Sequence, residues 1–192
     1  MKKSGRQERS KQTIKTILSA ANQVLVDQGF EKATTNRIAD HAGYSVGTVY
    51  QYFDDKEDIY GEILDQVLLK LTESAANCMI QPSLRETLKH LLLQILTSLE
   101  QDPALIQALG TLLGGLFRNK RKAAYDKLVL SVVRILEAHR DEVVVEDLVI
   151  AAGVIVGASA GLATSESATV LESPDLIEQI IRLQFAYLTL PA

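Results

Sequence analysis

The segment that most constrains the fold of this chain covers residues 34–58, with the sequence TTNRIADHAGYSVGTVYQYFDDKED. It contains two helix-start signals a few residues apart. Thr34 or Thr35 can cap a first short helix, because a threonine hydroxyl accepts hydrogen bonds from backbone N–H groups that have no partner in the first turn. Ser45 can cap a second helix over Val46–Phe53. The segment therefore predicts two short helices in close succession.

The junction between these helices has the composition of a helix-turn-helix, in which two helices cross steeply over a short turn that often contains glycine. Gly43 supplies the backbone freedom of the turn, and Ala39 is small enough for a close crossing. Ile38, Ala42 and Val49 would pack the pair onto the preceding helix. The alternative is an ordinary helical hairpin in an all-helical core. Two tyrosines, a threonine and a glutamine on the open face favour the helix-turn-helix, since such a face fits a major groove about 12 Å wide.

The residues around this motif resemble the TetR/AcrR family of transcriptional regulators. The resemblance covers about residues 13–63: a long first helix that ends at Gly29-Phe30, then TTNRIADHAGYS, then GTVYQYFDDKEDI. Tyr44 is a mild departure, because the family usually has a smaller apolar residue after the turn glycine. The resemblance implies an all-α protein of about nine helices. It also implies a helix-turn-helix head in residues 1–55 and a helical bundle for ligand binding and dimerisation in residues 56–192.

The function that the resemblance implies is that of a homodimeric, sequence-specific regulator of transcription. We expect a repressor that a small-molecule ligand releases from a pseudo-palindromic operator in double-stranded DNA. Two recognition helices would then lie about 34–36 Å apart and enter successive major grooves. Because phosphate contacts position a protein and base contacts specify the sequence, the candidates divide into two groups. The base-contact group is Asn36, Val46, Gly47, Thr48, Gln51 and Tyr52, and the phosphate group is Thr35, Ser45, Tyr50 and Lys56; Arg37 is a further candidate for base or phosphate contact.

Lys56 is unusual because it opens the helix that follows the motif. The helix dipole disfavours a cation at this end. A DNA phosphate near the ammonium and the free N–H groups would explain the lysine.

Charge is divided unevenly along the 192 residues, whose net charge is −4. Residues 1–56 hold nine Lys and Arg against six Asp and Glu, a net charge of +3, and the remainder carries −7. A basic head on an acidic body is typical of DNA-binding proteins. Residues 1–6 are polar and basic, and we expect them to be disordered.

Cysteine content and hydrophobic segments indicate a cytoplasmic protein. The single cysteine, Cys78, excludes an internal disulfide and is expected to be a buried apolar residue rather than a redox sensor. No hydrophobic segment near the start suggests a signal peptide. The apolar run Leu148–Ala163 has 16 residues, fewer than the ~20 that span a bilayer, so we expect no membrane contact.

Three glycines at helical spacing predict a close helix contact in the second half of the chain. Gly153, Gly157 and Gly161 form a smooth ridge that costs about 3 kcal/mol relative to alanine, so a close helix approach has to compensate. The resemblance implies a homodimer through residues 147–164 and 174–188. The candidate interface residues are these glycines with Ile177, Ile181 and Phe185. The alternative is that both helices pack only within their own subunit.

A ligand pocket is expected among the predicted helices between about residues 56 and 139, and their aliphatic composition favours an uncharged or lipophilic ligand. For each candidate taken singly, plain core is favoured over a place in the pocket. The candidates are Leu68, Leu92, Leu96, Leu109, Leu113, Phe117, Tyr125 and Val129.

Two other classes of function were weighed against a regulator. An enzyme is disfavoured, because no nucleophile–base arrangement, metal-ligand cluster or phosphate-binding loop occurs in the sequence, and no cofactor is expected. An architectural or adaptor protein would keep the fold but bind neither ligand nor a specific sequence.

Overall fold

The computed structural model describes residues 2–99, 115–163 and 175–190. Within these ranges the chain forms eight α-helices and no strand, which confirms the all-α prediction. The predicted helix over residues 104–117 lies almost wholly outside them. The helices are α1 (Lys2–Gln28), α2 (Thr35–Ala42), α3 (Val46–Val49), α4 (Lys56–Ala76), α5 (Leu84–Leu99), α6 (Arg118–Ala138), α7 (Leu148–Ala163) and α8 (Leu176–Thr189), with a 3-10 turn at Phe30–Lys32.

The chain divides into two compact units, Met1–Gln66 and Val67–Ala192, so the division falls inside α4. The first half of α4 belongs to the N-terminal unit because its apolar residues, among them Ile59 and Ile63, are buried. The predicted functional boundary between residues 55 and 56 stays a prediction.

The core of the N-terminal unit forms along one face of α1, where Ile17, Ala21 and Val24 are fully buried. Residues spaced three and four apart share a face of an α-helix, so these residues form one apolar stripe. Ile38 and Val49 of the following helices are also fully buried. The expected disorder of residues 1–6 is corrected, since α1 already begins at Lys2.

The C-terminal unit has a core of aliphatic residues from α5 to α8, including Leu88, Ile135, Ala151 and Ile181. Cys78 is buried there, as expected, and burial raises the pKa of its thiol.

A buried polar cluster joins the start of α5 to the end of α6. The Thr87 hydroxyl lies 2.8 Å from His139 Nε2, and His139 Nδ1 lies 3.1 Å from Glu142 Oε1. The Leu84 N–H donates to the same Glu142 oxygen at 2.8 Å, and the Gln81 N–H donates to Thr87 Oγ1 at 2.9 Å. These bonds satisfy polar groups that would otherwise be costly to bury.

Candidate nucleic-acid interface

α2 begins and ends through local hydrogen bonds that its sequence specifies. Thr34, one of the two predicted caps, is the N-cap, and its Oγ1 accepts from the Arg37 N–H at 3.3 Å. Gly43 ends the helix in the left-handed region, at φ 69° and ψ 27°. The Tyr44 N–H donates to Ala39 O at 3.0 Å, which closes the turn. Gly43, the predicted end of the helix, therefore acts as expected, because glycine is the one residue type that adopts the left-handed conformation freely.

α3 follows after a three-residue connection and is held at its start by Ser45. The Ser45 Oγ accepts from the Thr48 N–H at 3.1 Å and lies 2.8 Å from the Thr48 hydroxyl. The α-helical part is shorter than the predicted Val46–Phe53, because it ends at Val49. The chain then tightens, with a bond from the Tyr52 N–H to Val49 O at 3.0 Å. β-Branched and aromatic residues are weak helix formers, which explains the early end.

The predicted base-contact residues lie mostly on an accessible surface. Asn36, Gly47 and Gln51 are exposed, whereas Val46, Thr48 and Tyr52 are half-buried. The predicted phosphate contacts Thr35 and Tyr50 lie together, because the Thr35 hydroxyl is 3.2 Å from the Tyr50 hydroxyl. This hydrogen bond joins the first turn of α2 to the residue after α3. Sequence spacing alone gave no sign of it.

Arg37 and Lys56, also predicted DNA contacts, make intramolecular bonds instead of extending freely into solvent. Arg37 Nη1 donates to Lys32 O at 3.0 Å, and Lys56 Nζ donates to Phe30 O at 3.0 Å. Both cations are therefore bonded to the same 3-10 turn. This turn was not predicted as part of the site, although an aromatic residue directly after the glycine that ends α1 was a usable signal. Contacts of both residues with DNA stay predictions.

The predicted ligand-pocket residues have different environments in the C-terminal unit. Val129 is buried in the core cluster, and the Tyr125 hydroxyl donates to Gly153 O at 2.8 Å. Leu68, Leu92, Leu96 and Phe117 are half-buried. Leu109 and Leu113 lie outside the described residues, so the pocket as a whole stays a prediction.

The three glycines of the α7 ridge have different surroundings within the chain. Gly153 faces α6, because a Cβ atom at this position would lie 3.3 Å from the Tyr125 hydroxyl. Gly157 and Gly161 are exposed. The close approach that the ridge predicted is thus made within the chain at Gly153.

The outward face of α8 differs from the predicted one. Ile181 is fully buried in the core of its own unit, and Ile177 and Phe185 are half-buried against that core. Leu183 and Tyr187 are exposed instead, at 62% and 39%. The helix is apolar on more than one side, so its sequence did not reveal which side packs inward.

Exposed apolar residues form one stripe on each of the last two helices. The spacing of three and four residues places the members of each stripe on one helical face. α7 carries Ile150 and Val154 with Gly157 and Gly161, and α8 carries Leu183 and Tyr187, continued by Leu190. α7 and α8 are joined by a hydrogen bond from Gln184 Nε2 to Ser159 Oγ at 2.8 Å.

The described residues hold neither a metal-binding cluster nor a helix that could span a membrane. They contain no group of three or more His, Cys, Asp and Glu side chains arranged to bind a metal ion. None of their helices combines the length and the apolar character that crossing a membrane requires.

Taken together, the capped α2, the left-handed Gly43 turn and the exposed face of α3 define a helix-turn-helix protein, the class that places its second helix in the major groove. The sequence profile described as "Bacterial regulatory proteins, tetR family" matches residues 17–63. This segment of the chain is therefore similar to the N-terminal part of TetR-family regulators. The chain's N-terminal unit contains all of the matched residues.

Curated relatives match this chain over its N-terminal part. The HTH-type transcriptional repressor BepR of Brucella suis is 40% identical over 53 residues, which are 28% of this chain and 25% of BepR. The fatty acid metabolism regulator protein of Bacillus subtilis is 42% identical over 43 residues, 22% of each chain. The matches thus span about a quarter of the relatives' own length. Both are named as regulators and neither as an enzyme, in agreement with the expectation that this chain is not an enzyme.

Solved structures match the fold over nearly the whole chain. A transcriptional regulator from Rhodococcus has a TM-score of 0.74 at 17% identity, covering 91% of this chain and 95% of that one. FadR of Thermus thermophilus, a TetR family transcriptional repressor solved in complex with lauroyl-CoA, has a TM-score of 0.62 at 21% identity, covering 93% and 96%. At these identities the comparison establishes the fold alone.

Proposed function

We propose that this chain is a homodimeric, sequence-specific DNA-binding regulator of transcription that represses its target genes until a small molecule releases it. The observation that carries the proposal is the helix-turn-helix, with both helices capped and the Gly43 turn in the left-handed region. Such a motif holds its recognition face in one conformation before DNA is bound. The proposed base contacts are Asn36, Val46, Gly47, Thr48, Gln51 and Tyr52, and the proposed phosphate contacts are Thr35, Ser45 and Tyr50.

Sequence-specific binding is tested by selecting bound sequences from random duplex DNA with the purified full-length protein. We expect a pseudo-palindrome whose affinity falls steeply with salt, because phosphate contacts release counterions. Tyr50→Ala and Tyr52→Ala should each weaken binding to that sequence at least tenfold with the fold intact. Gln23→Ala, an exposed change on α1, is the control. Enrichment of no sequence by a folded protein would contradict the proposal and favour an adaptor.

The two exposed apolar stripes of α7 and α8 support a homodimer. Apolar side chains this exposed on neighbouring helices are typical of a protein–protein contact. Because Leu183 is 62% exposed, Leu183→Glu should have little effect on folding but should bury a charge in the dimer, giving a monomer in analytical ultracentrifugation. Leu130→Glu is the matched control, since Leu130 is 68% exposed on α6, outside both stripes. A dimer that survives Leu183→Glu would contradict this interface.

Repression and its release are tested with the selected operator. Placed before a reporter gene, the operator should reduce expression when the protein is present, and an increase would identify an activator instead. For the effector we propose a lipophilic molecule, supported by the aliphatic composition of α5 and by the lauroyl-CoA bound in the Thermus thermophilus structure. Lauroyl-CoA, dodecanoate and coenzyme A are the probes in an operator-release assay. Release by coenzyme A alone would contradict a lipophilic effector.

A further inference from the structure

The short turn between α1 and α2 is a fixed part of the N-terminal unit. Gly29, with φ 75°, ends α1 and redirects the chain into the 3-10 turn Phe30–Lys32. The Ala33 N–H donates to both Gly29 O and Phe30 O at 3.2 Å, and Ala33 is fully buried. The turn is therefore closed by its own backbone and anchored at its end.

Lys56, the first residue of α4, is bonded to one end of this turn. Its Nζ donates to Phe30 O at 3.0 Å and lies 4.1 Å from the centroid of the Phe30 ring. A cation over an aromatic face is attracted by the ring's quadrupole. The same ring meets Tyr60 edge-on, with centroids 5.4 Å apart. Together the carbonyl and the ring account for a lysine at a helix terminus whose dipole disfavours it.

Arg37, in the first turn of α2, is hydrogen-bonded to the other end of the Phe30–Lys32 turn. Its Nη1 donates to Lys32 O at 3.0 Å and to Gln28 Oε1 at 2.6 Å. A terminal guanidinium nitrogen carries two hydrogens, so both of them are used. A turn of three residues is thereby bonded to the start of α2 by one cation and to the start of α4 by another.

We propose that Lys56 and Arg37 act in DNA binding as positioning residues and not as phosphate contacts. Through the Phe30–Lys32 turn, they hold α2 in a fixed position relative to the start of α4. We name the four residues Phe30, Lys32, Arg37 and Lys56 the Phe30 clasp. The clasp joins the first helix of the helix-turn-helix to the helix that follows the motif, so any change at the start of α4 reaches α2 through two polar bonds. This assignment rests on the proposed function.

Salt dependence separates the two roles, because each phosphate contact contributes about 0.9 to the slope of log affinity against log salt. Lys56→Met keeps the apolar stem but removes the donor and the charge. Lys32→Met is the matched control, since it removes the same charge from an exposed side chain while the clasp uses only the Lys32 carbonyl. Loss of one charge-assisted hydrogen bond predicts about tenfold weaker operator binding for Lys56→Met, with the salt slope of the control. Because a dimer carries two copies of Lys56, a slope lower by about 1.8 than that of the control would overturn the proposal.

A double-mutant cycle tests whether Lys56 acts through Phe30. Phe30→Leu keeps the carbonyl and an apolar side chain but removes the aromatic face. We expect Phe30→Leu alone to weaken operator binding. The double variant Phe30→Leu/Lys56→Met should bind the operator with the same affinity as Lys56→Met alone. Lys56→Arg, which keeps a donor and a cation for the ring, should restore binding. Additive effects, or an unchanged affinity in Phe30→Leu, would overturn the proposal.

Amide hydrogen exchange tests the clasp without DNA. In Lys56→Met the amides of Ala33 and of α2 should exchange several-fold faster than in Lys32→Met, and equal exchange in the two would overturn the clasp. If the protein without substitutions selects no DNA sequence, the proposed function is wrong. The DNA-binding role of the clasp is then wrong as well. Faster exchange in Lys56→Met would then still establish the mechanical link between α4 and α2.

Discussion

Gly43→Ala is the substitution whose consequence follows most directly from the structure. Gly43 has φ 69°, and a Cβ atom built there would meet nothing within 4 Å. Steric clash with other residues is therefore excluded as a cause, and only the strain of a left-handed backbone remains. That strain is about 1–2 kcal/mol for a residue with a Cβ. We expect Gly43→Ala to destabilise the turn by this amount.

Gly47→Ala supplies a control with the same chemical change four residues later. Gly47 lies in α3, does not have a positive φ, and its added Cβ would be 3.9 Å from the nearest atom, Ser45 Oγ. Alanine is favoured over glycine in a helix by up to about 1 kcal/mol. The two substitutions should therefore shift stability in opposite directions, with a total difference of about 1–3 kcal/mol.

Native-state hydrogen exchange measures this difference locally and does not require the whole chain to unfold in one step. The Ile38 amide is a suitable reporter, because its bond to Thr34 O at 3.0 Å lies in the first turn of α2. A cost of 1.4 kcal/mol corresponds to about tenfold faster exchange through opening of the motif. Gly43→Ala should also weaken operator binding. Equal exchange in the two variants would refute the argument from backbone strain.

Three further changes test other parts of the structure. Ser45→Ala removes the cap of α3 and should cost about 0.5–2 kcal/mol in a denaturant titration, whereas a negligible loss would mean that the Ser45 bond contributes nothing. Burial raises the pKa of the Tyr60 phenol, whose hydroxyl donates to Ala21 O at 3.0 Å. The unfolded phenol ionises near pH 10 and the folded one only at higher pH, so thermal stability should fall as pH rises above about 10. Tyr60→Phe should reduce that fall, and an unchanged pH dependence would contradict it. Thr87→Val removes the hydrogen-bond partner of the Gln81 N–H and of His139 Nε2 and should lower the free energy of unfolding by about 1–3 kcal/mol, while Thr97→Val, on the exposed side of α5, should have little effect.

The helix-turn-helix was predictable from sequence because its signals are local. A threonine or serine caps a helix within three residues of itself, and Gly43 ends one through its own backbone. The error in the length of α3 is also local, since the tightening after Val49 involves bonds between residues three apart. Every part of the motif thus depends on residues that are neighbours in the chain.

Contacts between distant residues were decided only by the tertiary structure. The contact of Lys56 with the Phe30 carbonyl and ring could not be predicted, because Phe30 lies 26 residues away and leaves no periodic signal. Ile181 was assigned to the dimer interface because a helix that is apolar on several sides does not specify its inward face. Sequence fixes which bonds a residue can make with its neighbours, whereas the choice among equivalent faces and partners depends on how the other helices pack. That packing is a property of the whole chain.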